Sequence, residues 1–385
     1  MRQLSLSPIV AGFIAVLVGF SSSAVLIFQA ASAAGANAEQ TTTWLMALGL
    51  GTALTSFGLS WWYKAPVLTA WSTPGAALLV SALSGYSMNV AVGAFIVSSI
   101  LIVLCGVTGL FERLMKHIPK ALSGAMLAGV LFHFGLNVFT QMQDHQLLIG
   151  LMLLAYLFGK ALLPRYAILL VLVVGCAYAG VNGQMHMEDL TFAFTLPSAV
   201  MPDFSLSAII GVSLPLFIVT MASQNLPGVA VIRANQYDTP ISPLITWTGL
   251  ASLVLAPFGG FALNLAAITA AICSGPEAHP DTKQRYQAPM WAGVFYLITA
   301  LLASTVVSLF SAFPQALIMA LAGIALFSTI GNSLSAALSE PSEREAALVT
   351  FLITASGLTL WSVGAAFWGL VGGLLVTLIL SIKRQ

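Results

Sequence analysis

No Asp or Glu falls inside any long apolar run of this chain, and its 13 Lys and Arg residues stand only between those runs or at their edges. The basic residues form separate groups: Arg2, Lys64, Arg113 with Lys116 and Lys120, Lys160 with Arg165, Arg233, Lys283 with Arg285, Arg344, and Lys383 with Arg384. The connections between these groups carry Glu39, Asp144, Glu188, Asp189 and Asp203 and no basic residue. Loops that alternate in this way follow the positive-inside pattern of a chain that crosses a bilayer many times. Only 6% of the residues are charged and 59% are hydrophobic. Soluble domains carry roughly 25% charged residues, so a water-soluble fold is excluded. Cys105, Cys176 and Cys273 lie in apolar runs without pairing or metal-ligand spacing, and they read as small packing residues.

The N-terminal run Ile9–Phe28, followed by the small residues at 30–34, has the outline of a cleavable leader. It is long enough to span a bilayer, so a retained first helix with its N-terminus inside is expected. Full spans are expected at about 8–33, 43–62, 88–111, 119–140, 146–163, 166–182, 206–228, 242–258, 287–311, 315–337, 345–361 and 363–382. Two further apolar stretches, 66–84 and 259–274, open on extended, β-branched or aromatic residues and then turn helical. Ser72 or Thr73 as N-cap, with Pro74 in the first turn, is a helix-start signal. Asn264 is a weaker cap for the second stretch. Both read as discontinuous membrane elements, a strand-like half leading into a half-helix.

The two halves of the chain resemble each other. Ile118-Pro119-Lys120-Ala121-Leu122 returns roughly 195 residues later as Phe313-Pro314-Gln315-Ala316-Leu317. The discontinuous stretches return at a similar offset, 73–78 against 264–269. With those stretches counted as crossings, each half has seven. An odd number per half sets the second half into the membrane upside down, and the basic loop before Ala121 against the uncharged one before Ala316 agrees. The expected fold is therefore an all-α polytopic membrane protein of 14 segments in a 7+7 inverted repeat, an architecture common in secondary transporters. Its parts are residues 1–183, a connection at 184–205 on the basic-free side, and residues 206–385. Similarity between Ala- and Leu-rich segments by chance is the competing explanation.

No nucleotide-cradling motif is present, so transport would run on gradients or passively. Paired carboxylates, metal-ligand spacing and a Ser/His/Asp set are all missing at membrane depth, so neither an enzyme nor a bound metal or cofactor is expected. Broken helices near the midplane leave backbone N–H groups unpaired. The starts at 72–76 and 264–268 would hold a carboxylate without Lys or Arg, and Trp71, Phe258 and Phe261 stand near enough in sequence to hold an apolar body. Ser22 among Ser21–Ser23, and Gln224 with Asn225, place polar groups within spans. Two consecutive amides in hydrocarbon are costly unless partnered, whereas the serines, like Thr269 and Ser274, can bond to their own helix. His133 is the titratable residue nearest the middle of a full span, either a proton carrier or an interhelical hydrogen-bond partner. Lys160, close to the basic edge, reads as snorkelling.

The stretches at 70–80, 220–228, 266–281 and 354–360 resemble the BenE family of benzoate–proton symporters, and the likeness runs from the first span to the last. That family is similar in fold to the uracil and SulP anion transporters, with core and gate domains and short β-strands in segments 3 and 10. The resemblance implies a site between segments 1, 3, 8 and 10, with segments 3 and 10 at 66–84 and 259–274. Carried over in this way, substrate-binding candidates are Ser22, Trp71, Ser72, Thr73, Gly75, Gln224, Asn225, Asn264, Ala266, Ala267 and Thr269. The nucleobase branch has acidic residues on segments 8 and 10; here Gln224 and Asn225, and Ala267, Ile268 and Thr269, stand in those stretches. Loss of the carboxylates suits an anionic substrate and leaves the proton to travel on the acid itself or on His133 or Glu277, the proton-coupling candidates. The expected function is secondary transport of a small aromatic carboxylate with a proton, in a bacterial inner membrane, with both termini cytoplasmic and no nucleic-acid partner. Apolar gate faces are compatible with a homodimer. A carrier of another anion or nucleobase on the same fold, and a passive anion channel, are the alternatives.

Overall fold

The structure, a computed structural model, describes residues 6–111, 120–185, 192–266, 268–276, 278–361, 363 and 365–382. Its main helices are α1 (Leu6–Ala33), α2 (Ala38–Tyr63), α3 (Thr73–Ala82), α4 (Met88–Val107), α5 (Lys120–Gln141), α6 (Gln146–Leu162), α7 (Ala167–Val181) and α8 (Leu206–Ala234). They continue with α9 (Ile241–Leu255), α10 (Ile268–Ser274), α11 (Gln287–Leu301), α12 (Ala303–Ser311), α13 (Gln315–Leu338), α14 (Arg344–Ala355) and α15 (Ala365–Ile382). Two strands, β1 (Thr69–Trp71) and β2 (Leu263–Leu265), precede α3 and α10.

Local chemistry sets several helix ends. Asn37 closes a capping box with Gln40 at the start of α2, and Lys64 ends that helix in the left-handed region at φ 49°. Ser87 caps α4 through the Val90 amide. Large apolar side chains cover the outside of the bundle: Leu54, Trp62, Leu157 and Phe158 are each at least 60% exposed. That is a surface made for lipid rather than water.

The expectation of twelve full-length spans is corrected by these lengths. Among the described residues, six helices are long and apolar enough to cross a membrane, or up to eight if each of two bent pairs counts as one span. The run expected at 287–311 breaks between α11 and α12 with a bend of 69°. Helix α14 has 12 residues instead of continuing to 361, because the chain turns at Gly357, φ +69°. Helix α7, with 15 residues, reaches only about 22 Å at 1.5 Å per residue, short of the ~30 Å hydrocarbon core.

The strands pair with each other, antiparallel, with Thr69 opposite Leu265, Ala70 opposite Asn264 and Trp71 opposite Leu263. A two-stranded ribbon inside a bilayer has two open edges, and each outward N–H must find a partner there. Side chains supply them. Along β1, Ser60 Oγ accepts from Val67 N at 3.2 Å and Ser56 Oγ from Thr69 N at 3.0 Å. Along β2, Ser252 Oγ accepts from Leu263 N at 2.8 Å and Asn225 Oδ1 from Leu265 N at 2.9 Å. The Ser56 and Ser60 hydroxyls of α2 are thus spent on the backbone of this segment. Replacing Ser56 by Ala orphans the Thr69 amide, and the expected loss is about 1–3 kcal/mol of stability, read as a lower unfolding midpoint of the detergent-solubilised protein.

Candidate functional site

Helix α3 begins as its sequence requires. Ser72 accepts from Gly75 N at 3.0 Å and Pro74 sits in the first turn. The Ser72 hydroxyl also accepts from Thr220 on α8 at 3.1 Å, so this fully buried side chain ties α8 to the helix start. Gly75 allows the close packing there: a Cβ on it would lie 2.7 Å from Ser72 Oγ and 2.8 Å from Leu216 Cδ1. Helix α10, only seven residues long, begins at Ile268. Asn264 does not cap it. It lies within β2, donates to Ala262 O at 3.1 Å, and its Oδ1 has no partner among the described residues.

Helix α8 is irregular beside these starts. It has π turns at Ile209–Ser213 and Met221–Asn225, each followed closely by a proline, Pro215 and Pro227. A proline lacks the N–H for the preceding turn, and the wider turn absorbs the misfit. The second π turn splits the two adjacent amides. Asn225 is fully buried and holds β2, while Gln224 is half-buried, makes no hydrogen bond among the described residues, and faces a cavity of about 750 Å³.

That cavity gathers Trp71, Thr73 and Pro74 from the first broken segment, Ala266 and Thr269 from the second, Gln224 and Pro227 from α8, and Ser23 from α1. Its other wall comes from α5, α6 and α13. The Trp71 indole is fixed: Nε1 donates to Ser23 Oγ at 2.9 Å, and Ser23 donates to Gly19 O at 2.7 Å. Its ring meets Phe20 at 5.2 Å and Tyr296 at 5.7 Å, both edge-to-face. Tyr296, on α11, lines the cavity and carries no signal in the sequence beyond being one aromatic among many. Phe261, expected here, instead packs 6.0 Å from Trp44 and 5.6 Å from Phe95.

Of the expected site residues, the structure therefore brings Trp71, Thr73, Gln224, Ala266 and Thr269 to one cavity. It places Ser72, Gly75, Asn225 and Asn264 behind that surface, as supports. Ser22 lies on α1 one residue before Ser23. Ala267 and Glu277 lie outside the described residues. His133 belongs elsewhere: it lines a second cavity of about 910 Å³ with Gln29, Asn137 and Gln315. Its Nε2 lies 2.7 Å from the carbonyl of Ala355, the last residue of α14, so it is an interhelical partner, as one of the two readings of this residue anticipated. Among the described residues no group of three or more His, Cys, Asp or Glu is placed to hold a metal.

Crossing helices, two half-helices that start at a buried ribbon and a cavity beside them define a polytopic membrane protein with a fold like that of SLC26A9. A structure of SLC26A9 superposes with a TM-score of 0.64 at 14% identity, over 98% of this chain and 66% of that one, so this chain spans slightly under two thirds of that protein's length. The chain belongs to the BenE family, described as "Benzoate membrane transport protein", which residues 2–379 match. It is 50% identical over 384 residues to inner membrane protein YdcO of Escherichia coli, covering 99% of this chain and 98% of that one. To the benzoate membrane transport protein of Acinetobacter baylyi it is 40% identical over 379 residues, covering 98% and 96%. The family is one of transport proteins, not enzymes.

Proposed function

We propose that this protein is a secondary carrier of a benzoate-like aromatic carboxylate in the bacterial inner membrane, and that the 750 Å³ cavity is its substrate site. The observation that carries the reading is the pairing of a fixed aromatic wall, Trp71 and Tyr296, with the free amide of Gln224 and the hydroxyl-bearing side chains of Thr73 and Thr269 in one cavity. The carboxylate is held by that amide and by Thr73 and Thr269, beside the start of α3, whose dipole favours an anion. The ring lies against the indole and the phenol. Ser22, Ser72, Gly75, Asn225, Asn264, Ala266 and Ala267 belong to the segments that shape this site.

The architecture proposed is 14 segments in two inverted sevens, 1–183 and 206–385 joined by 184–205, with both termini cytoplasmic. Packing supports it: α2 lies on α11 as α9 lies on α4, α5 and α13 pack on each other, and the ribbon pairs the third segment of each half. Each of these contacts maps onto another, or onto itself, when every segment is exchanged for the one seven later. The site then lies between a core that carries the ribbon and a gate built on α5, α6 and α13, and rocking of one against the other exposes it to each face in turn. A proton accompanies the substrate, with His133 and Glu277 as its candidate carriers, and two protomers pair through the gate faces.

Purified protein in proteoliposomes is expected to show counterflow of labelled benzoate, which a channel does not give; no counterflow with any aromatic carboxylate removes the reading. Trp71→Phe keeps a ring but loses the bond to Ser23, roughly 1 kcal/mol, so half-saturation rises about fivefold. Ser23→Ala gives a similar rise. The double variant is no worse than either single one, because both remove the same bond.

A further inference from the structure

We propose a second anion subsite at the basic mouth of the same cavity, built on Lys120 and Lys160, where the carboxylate rests on its way between the midplane site and the aqueous phase. The inference rests on the transport reading above. Lys120 and Lys160 are the charged residues among those lining the cavity. They come from different elements, Lys120 from the first residue of α5 and Lys160 from the last turn of α6. Both are exposed, and neither ammonium group makes a hydrogen bond or an ion pair among the described residues.

Snorkelling explains an isolated lysine near a membrane edge, and the carbonyl end of α6 gives Lys160 a favourable place. Lys120 has no such excuse. It adds positive charge to the positive end of its own helix, an arrangement that local electrostatics disfavours. A negatively charged visitor between the two ammonium groups reverses that penalty. Besides Thr73, Thr269 and Gln224, the lining offers Ser123 from α5 and Ser328, Thr329, Asn332 and Ser333 from α13, together with the apolar Val18, Leu127, Ile168 and Leu326. The same cavity therefore supplies polar groups for a carboxylate and apolar surface for its ring. Two unpaired cations at a low-dielectric mouth also concentrate anions there and speed their entry.

The test is benzoate entry into inside-out membrane vesicles, where the basic face is outward, at low and at high salt. Unaltered protein should show a half-saturation concentration that rises with salt. In Lys120→Gln/Lys160→Gln the low-salt value should rise roughly tenfold and lose its salt dependence. Lys120→Arg/Lys160→Arg should restore both. Half-saturation from the opposite face, measured in right-side-out vesicles, should move by less than about twofold, because fixed charges act within a Debye length. An unchanged half-saturation in the glutamine variant overturns the subsite while leaving the carrier intact. The same outcome accompanied by loss of copurifying anionic phospholipid assigns the lysines to a lipid headgroup and overturns it equally. Absence of counterflow by the unaltered protein overturns the transport reading, and the subsite with it.

Discussion

Thr269→Asp is expected to abolish benzoate uptake while leaving the folded protein in the membrane in its usual amount. Thr269 is the second residue of α10 and is half-buried against the cavity. A carboxylate fixed there stands about 4 Å from a bound carboxylate, and at an effective dielectric constant of ~20 the repulsion is about 4 kcal/mol, roughly a thousandfold in affinity. The fold has no reason to object. An acidic residue in the first turn of a helix is favourable by about 0.3–1 kcal/mol, and the side chain faces open space. Stability and transport therefore move apart, which separates loss of an anion site from loss of structure. Thr269→Asn supplies the neutral control, with uptake within about tenfold of the unaltered protein, because an amide still donates to an anion. The measurement pairs counterflow with the unfolding midpoint in detergent. Full uptake by the aspartate variant means that the carboxylate binds elsewhere.

Much of this arrangement could be read from residue order alone, because the bilayer restricts what a sequence can mean. The sorted charges and long apolar runs specify many crossings, and Ser72 with Pro74 specifies where a broken helix must restart. Strands were expected at 66–84 and 259–274 because extended openings precede those starts, and β1 and β2 lie there. The partners of the ribbon were not legible. Nothing in Thr52, Thr55, Ser56 and Ser60 distinguishes hydroxyls aimed at a strand edge from hydroxyls bonded to their own helix, and Thr55 does both, meeting Thr69 Oγ1 at 2.6 Å and Gly51 O at 2.7 Å. Tyr296 was missed because its role depends on α11 packing against α1 and lying near Trp71, a contact across more than half the chain. The snorkelling read for Lys160 agrees with its exposed place in the last turn of α6, while its share in the cavity lining depends on packing that charge position along a helix does not show. Span lengths erred for a related reason: apolar character continues through Gly357 and through the bend between α11 and α12, where the helix does not.

Gln224 and Asn225, which sequence treats as one polar pair, are expected to fail in different ways. Asn225→Leu keeps the volume and removes the acceptor of the Leu265 amide. That N–H lies at an open strand edge inside the protein, and an unsatisfied backbone group there costs about 1–3 kcal/mol, more where water cannot reach it. The variant should unfold at a lower temperature and show little or no uptake, because β2 leads directly into Ala266 and Thr269 at the cavity. Asn225→Asp retains an acceptor oxygen and should recover part of the midpoint when its buried carboxyl is neutral. Gln224→Ala removes an amide with no partner among the described residues, so its midpoint should stay within about 0.5 kcal/mol of the original, as for other changes away from packed or bonded groups, while uptake is lost. Reversal of the two, with a stable Asn225→Leu and an unstable Gln224→Ala, would exchange their roles. Consecutive side chains of a helix point about 100° apart, so within the turn Met221–Asn225 one amide holds the strand and the other meets what the cavity admits.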